Sequence, residues 1–113
     1  AAGGGRDKWK RPQMGKIAAR YCDEIILTNE DPYNEDPSRI LAEIKSGISS
    51  PISKLYEILD RRKAIKKALR IAKRGDIVVV TGKGAEPWLM TGEGRVAWDD
   101  REIVRAVYRE IFG

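Results

Sequence analysis

Two short apolar runs, Ile25-Ile26-Leu27 and Ile77-Val78-Val79-Val80, carry no polar alternation. A strand with one wet face alternates apolar and polar residues. A strand apolar on both sides of its pleat is covered on both faces, as in a parallel sheet. Around these runs lie segments of helical period. Met14, Ile17, Ala18, Tyr21 and Cys22 fall on one face of a first helix. Ile40, Leu41, Ile44 and Ile48 mark a second, opened by Asp36 as N-cap with Pro37 at its first position. Ala64, Ile65, Ala68, Leu69 and Ala72 stripe a third, between a cap at Asp60 and a stop at Gly75. Ile103, Val104, Val107, Tyr108 and Ile111 form the last, entered through the pair Asp99 and Glu102. Tyr56 to Leu59 is a candidate strand. Trp88-Leu89-Met90 and Arg95-Val96-Ala97-Trp98 read as a hairpin. The alternation predicts an α/β fold: one domain over residues 1–113, with an open, mostly parallel sheet, helices on both faces and a C-terminal hairpin. Such sheets bind ligands at loops beyond the carboxyl ends of their strands.

Composition narrows the chemistry. The chain has no histidine, which excludes a Ser-His-Asp triad, a histidine base and every histidine-ligated metal site within it. Its single cysteine, Cys22, excludes an internal disulfide and a cysteine-cluster metal site, and the cytoplasm is the expected compartment. A net charge of +5 favours anionic partners: nucleotide, phosphate, nucleic acid or an acidic substrate.

Three loops stand out. Gly3-Gly4-Gly5-Arg6-Asp7-Lys8-Trp9-Lys10-Arg11-Pro12 combines close backbone approach with cationic donors, but it matches neither G-x-x-x-x-G-K-[ST] nor G-x-G-x-x-G. It reads either as a phosphate or carboxylate cradle or as a solvated turn with a basic rim. Thr28-Asn29-Glu30-Asp31-Pro32-Tyr33 follows an apolar strand, and its adjacent carboxylates suit an ammonium group or a simple bend at Asp31-Pro32. Thr81-Gly82-Lys83-Gly84-Ala85-Glu86-Pro87 follows the longest apolar run, and it reads as a ligand loop with Glu86 facing an amine or as a tight turn.

The run Arg61 to Arg74 holds eight cations in fourteen residues. Its apolar residues keep to one stripe, so a solvated outer face is expected. A basic nucleic-acid-binding α/β module is the alternative. Trp9, Trp88 and Trp98 sit in separate segments and are expected to pack in core or loops. Cys22 is expected to be an inert core residue.

Taken in order and spacing, Gly-Gly-Gly-Arg-Asp-Lys-x-Lys-Arg-Pro, then Ile-Leu-Thr-x-x-x-Pro, then Val-Val-x-Gly-Lys-Gly-x-Glu, resemble the C-terminal domain of MurE-type Mur ligases. These are the UDP-N-acetylmuramoyl-tripeptide synthetases of peptidoglycan biosynthesis. The segment Trp98 to Glu102 also resembles the stretch before the family's final helix. The resemblance implies a Rossmann-like sheet and an ATP- and Mg2+-dependent ligase that adds the third amino acid to UDP-MurNAc-L-Ala-D-Glu. It implies that an N-terminal UDP-binding domain and a central ATPase domain are the partners, and that this chain alone is silent. It implies no catalytic residue, no metal ligand and no nucleic-acid or membrane partner here.

By the same resemblance, Arg6 contacts the amino-acid substrate, Asp7 and Lys8 face the nucleotide, and Gly82 and Glu86 hold the amino end of the substrate. Arg6 suits a carboxylate and Glu86 an ammonium, the opposed charges a zwitterion requires. Glu30-Asp31-Pro32-Tyr33 aligns with the loop that reads Asp-Asn-Pro-Arg in meso-diaminopimelate ligases. With Tyr33 in place of that arginine, the expected substrate is a diamino acid with a distal ammonium, such as L-lysine, and meso-diaminopimelate is the alternative. Arg11 and Arg39 are the cations considered as substitutes. Ala85 replaces the histidine of many relatives. Only Ala1-Ala2 precede the glycine loop, so the family domain's first strand is expected to be missing, with a gap in the sheet.

Overall fold

The computed structural model describes residues 8–30, 35–48, 54–82, 87–91 and 94–113. The chain runs α1 (Lys10–Tyr21), β1 (Glu24–Leu27), α2 (Pro37–Lys45), β2 (Lys54–Glu57), α3 (Arg61–Ile71), β3 (Trp88–Thr91), β4 (Gly94–Ala97) and α4 (Asp100–Phe112). β1 and β2 pair in parallel, from Glu24 with Lys54 to Leu27 with Glu57, and Ile58 N–H adds a 2.9 Å bond to the Leu27 carbonyl. β3 and β4 form the expected antiparallel hairpin, from Trp88 with Ala97 to Thr91 with Gly94.

The caps form where their residue types predict. Asp36 accepts from Ser38 N–H at 3.0 Å, and Asp60 from Lys63 N–H at 3.0 Å. Asp99 accepts from Arg101 N–H at 2.9 Å. Its side chain also takes the Arg101 guanidinium, at 3.2 Å and 3.1 Å. That hydrogen bond, outweighing a small burial cost, holds the Asp99 carboxyl below the usual aspartate value. The cap on α4 is therefore fully charged above the ordinary aspartate range and is lost only as pH falls through the lowered value.

β1 alternates its side chains across the pleat. Ile25 and Leu27 join Ile40, Leu41 and Ile44 of α2 in the buried core, with Ala18, Ala19, Ile48 and Leu55 packed against it. Ile26 points the other way, toward Ala64, Ile65 and Ala68 of α3. The strand is thus covered on both faces, as its unbroken apolar run predicts. Each such aliphatic side chain contributes about 1.5–3 kcal/mol when fully buried.

Three expectations are corrected. The segment Asp76 to Val80 pairs with no described strand, and Ile77 and Val79 are 87% and 73% exposed. Across from it stands the edge of β1 that β2 leaves open, and a groove of about 500 Å3 separates the two, lined by residues of both. An apolar run becomes a strand only when a ladder partner lies within about 5 Å, and no described strand is paired with this one. Next, β2 spans Lys54–Glu57 rather than Tyr56 to Leu59. Leu59 and Asp60 lie past its end, where Asp60 turns the chain into α3.

The third correction concerns α1. Most of its expected core face is turned outward: Ile17 and Tyr21 are 58% and 74% exposed, and Met14 and Cys22 are exposed too, while Ala18 packs against the core. Its buried residues are Arg11 and Gly15. The reason is the approach of α1 to α2. A Cβ on Gly15 would lie 2.0 Å from the Ile44 carbonyl oxygen, and one on Gly47 would lie 1.7 Å from the Pro12 carbonyl oxygen. Only glycine permits that contact, so the small residues face α2 and the larger apolar ones face away. Gly15→Ala should therefore destabilise the domain by about 1–3 kcal/mol or more through backbone overpacking. The check is a denaturant melt, and an unchanged midpoint would refute the close-packing account.

Candidate functional site

The site is built at the carboxyl end of β1 and of the segment ending at Val80. Two of the loops singled out in the sequence leave from here. Asn29 and Glu30 follow β1, and Thr81 and Gly82 follow the apolar segment. Gly82 has φ 103°, a left-handed conformation that favours glycine.

A buried arginine joins the two loops. Arg61, at the first position of α3, is 3% exposed. Its Nη1 donates to the Asn29 carbonyl at 3.0 Å, and its Nη2 donates to the Thr81 carbonyl at 3.1 Å. Its Nε and Nη2 also donate to Asp100 Oδ1 and Oδ2, at 2.9 Å and 2.8 Å. Asp100 is itself only 6% exposed, opens α4, and accepts a 2.7 Å bond from Trp98 Nε1. A buried charge is tolerated only when it is paired and hydrogen-bonded. The planar guanidinium meets both conditions with a bidentate carboxylate and two carbonyls. Thr28 Oγ1 closes the same corner on the Leu59 carbonyl at 3.4 Å. A cavity lined by Thr28, Arg61 and Thr81 measures about 80 Å3, well below the ~300 Å3 of a small-molecule pocket.

A second buried arginine ties α1 to α2 and to Glu35, the residue before its cap. Arg11, 1% exposed, donates through Nη1 to Glu35 Oε2 at 2.9 Å and to Glu43 Oε2 at 2.6 Å. Burial alone pulls its guanidinium down, but the hydrogen bonds and attraction of Glu35 and Glu43 outweigh that and raise it above the ordinary arginine value. Arg11 is thus committed to holding helices together and is no substitute for a missing substrate cation. Arg39 stands on the exposed side of α2, 3.6 Å from Glu43.

Of the residues expected at the site, Lys8 is described with its Nζ 3.8 Å from Glu35 Oε1, and Glu30 and Gly82 flank the carbonyls that Arg61 holds. Arg6, Asp7, Asp31, Pro32, Tyr33 and Glu86 lie outside the described residues.

The basic run is not the uniform solvated face it promised. Arg61 is buried, Arg62 and Lys66 pair with Glu110 of α4, and Lys67 lies 4.9 Å from the centre of the Tyr56 ring. Trp9, expected to pack, is 68% exposed with Lys10 over its ring, whereas Trp88 and Trp98 are half-buried. Sequence reasoning missed Arg11 and Arg61. The one available signal was position: Arg61 directly follows the cap of the helix that leaves β2.

The geometry defines an α/β domain in which one buried arginine ties the chain leaving β1 to the chain leaving the segment that ends at Val80. The chain belongs to the Mur ligase, glutamate ligase domain family, which matches residues 1–84, and it is the C-terminal domain of a MurE-type ligase. It is 47% identical over 103 residues to the UDP-N-acetylmuramoyl-L-alanyl-D-glutamate--2,6-diaminopimelate ligase of Gloeobacter violaceus, covering 91% of this chain and 21% of that protein. Identity to the enzyme of the same name from Caldanaerobacter subterraneus is 42% over 109 residues, covering 96% of this chain and 23% of that protein. A solved structure of a ligase of that name superposes with a TM-score of 0.90 at 40% identity, over 98% of this chain and 23% of the other. The chain therefore spans under a quarter of the length of these relatives.

Proposed function

We propose that this domain presents the incoming amino acid within a cytoplasmic, ATP-dependent ligase that extends UDP-MurNAc-L-Ala-D-Glu in peptidoglycan biosynthesis. The observation that carries the reading is the junction of Asn29-Glu30 with Thr81-Gly82 at one strand end. These two stretches open the loops whose motifs resemble the family's substrate loops. In this reading Arg6 pairs with the substrate carboxylate. Glu86, four residues after Gly82 in the same loop, accepts from its ammonium, and Asp7 and Lys8 face the nucleotide. Opposed charges at two fixed points orient a zwitterion and leave one amine presented for acylation.

ATP and Mg2+ would be held by the central ATPase domain of the same ligase, and the UDP group by its N-terminal domain. No group of three or more potential metal ligands occurs among the described residues of this chain. Among those residues no helix is long and apolar enough to cross a membrane.

For the amino acid itself, diaminopimelate has the better support, because the relatives are named as 2,6-diaminopimelate ligases. Lysine is kept as a second reading on one specific observation, the Tyr33 that stands where an arginine is expected for a distal carboxylate.

The test of the amino-acid site is Glu86→Gln in the full-length ligase that carries this chain. A charge-assisted hydrogen bond contributes about 1.5–3 kcal/mol, so KM for the amino acid should rise by roughly 10- to 100-fold while KM for ATP stays unchanged. An unaltered amino-acid KM would sink the reading.

A further inference from the structure

We propose that Arg61 is a positioning residue that sets the spacing of the two substrate loops, through its bonds to the Asn29 and Thr81 carbonyls. The inference rests on the amino-acid-site reading above and adds a residue that contacts no substrate in it.

The geometry separates two jobs within one side chain. The Nε and one Nη2 bond serve Asp100, which anchors the guanidinium to the start of α4. Nη1 and the second Nη2 bond reach backbone carbonyls of two loops that are 52 residues apart in sequence, at Asn29 and Thr81. Among the described residues neither carbonyl belongs to a strand ladder. β1 ends at Leu27, and the segment before Thr81 pairs with no described strand. The guanidinium is planar and rigid, so two carbonyls bonded to its two terminal nitrogens are held at one separation. That separation passes to Glu30 and Gly82, the next residue after each carbonyl. A lysine offers one compact ammonium on a flexible stem and cannot span the carboxylate and both carbonyls together.

The experiment uses the full-length ligase carrying this chain, with Arg61→Lys, Asp100→Asn and Glu86→Gln compared. Arg61→Lys should raise KM for the amino acid by about tenfold or more, leaving KM for ATP unchanged and kcat within about threefold, as expected when ground-state positioning is lost. Asp100→Asn loosens the anchor of the guanidinium but leaves the arginine in place, so it should lower the melting temperature and raise the amino-acid KM by less than Arg61→Lys does. A purely structural Arg61 predicts the reverse: the two variants would lose stability together, with no selective effect on amino-acid KM.

A folded Arg61→Lys enzyme with wild-type amino-acid KM, or with amino-acid and ATP KM raised equally, overturns the proposal. If Glu86→Gln raises the amino-acid KM and Arg61→Lys does not, only this inference falls. If neither does, the site reading falls with it. Hydrogen exchange in the unsubstituted enzyme gives a check independent of any variant's folding. Saturation with the amino acid should protect the backbone at 29–30 and at 81–82 together, and protection of one stretch alone overturns the proposal.

Discussion

Arg11→Met should destabilise the domain by about 3 kcal/mol, near the lower end of the range for breaking a buried ion pair. The guanidinium is 1% exposed and bridges Glu35 and Glu43, whose side chains retain 19% and 29% of their exposure. Methionine fills much of the volume but leaves the two carboxylates without their shared cation. They keep partial access to water, which places the cost at the low end of the range. About 3 kcal/mol is a change of more than a hundredfold in the folding constant, readable in a urea or thermal melt of the protein. Removing Glu43 as well, as Arg11→Met with Glu43→Leu, should cost less than Arg11→Met alone, because an apolar pair replaces a partly buried carboxylate left with only the exposed Arg39, 3.6 Å away. A loss below about 1 kcal/mol for Arg11→Met, or additive losses in the double variant, would contradict this account.

The full-length ligase should use meso-diaminopimelate in preference to L-lysine, and Tyr33→Arg with Asp31→Asn should widen that preference by about 10- to 100-fold in kcat/KM. The two substrates share a stem and differ by one terminal carboxylate. An arginine hydrogen bond to a carboxylate contributes about 1.5–3 kcal/mol, and removing the Asp31 charge removes like-charge repulsion. Arg11 is committed to Glu35 and Glu43, so the preference in the unsubstituted enzyme must come from another donor, such as the Tyr33 hydroxyl or Arg39. Wild-type preference for lysine would establish the second reading instead. A double substitution that leaves the ratio unmoved would remove this loop from substrate choice under both readings.

Much of the fold was legible because it depends on local patterns. Asp36, Asp60 and Asp99 cap helices through their own side chains, and a cap is decided within three residues of its site. The apolar face Ile40, Leu41 and Ile44 is buried as its spacing predicts. The hairpin Trp88 to Ala97 forms around a Gly94 with φ 112°. The loop order also revealed the family, since those motifs follow one another along the chain.

What the sequence could not show was decided between segments far apart. The apolar face of α1 and the run Ile77 to Val80 both carry good local signals. Yet the first lost to the backbone approach that Gly15 and Gly47 allow, and the second has no ladder partner within reach among the described residues. Arg11 and Arg61 looked like ordinary members of basic stretches. Their burial depends on Glu43, 32 residues later, and on Asp100, 39 residues later. Local propensity and periodicity settle which segments coil or extend and which side is apolar. Only the tertiary structure brings a distant carboxylate or carbonyl to a guanidinium, and without that compensation the desolvation cost keeps an arginine in water.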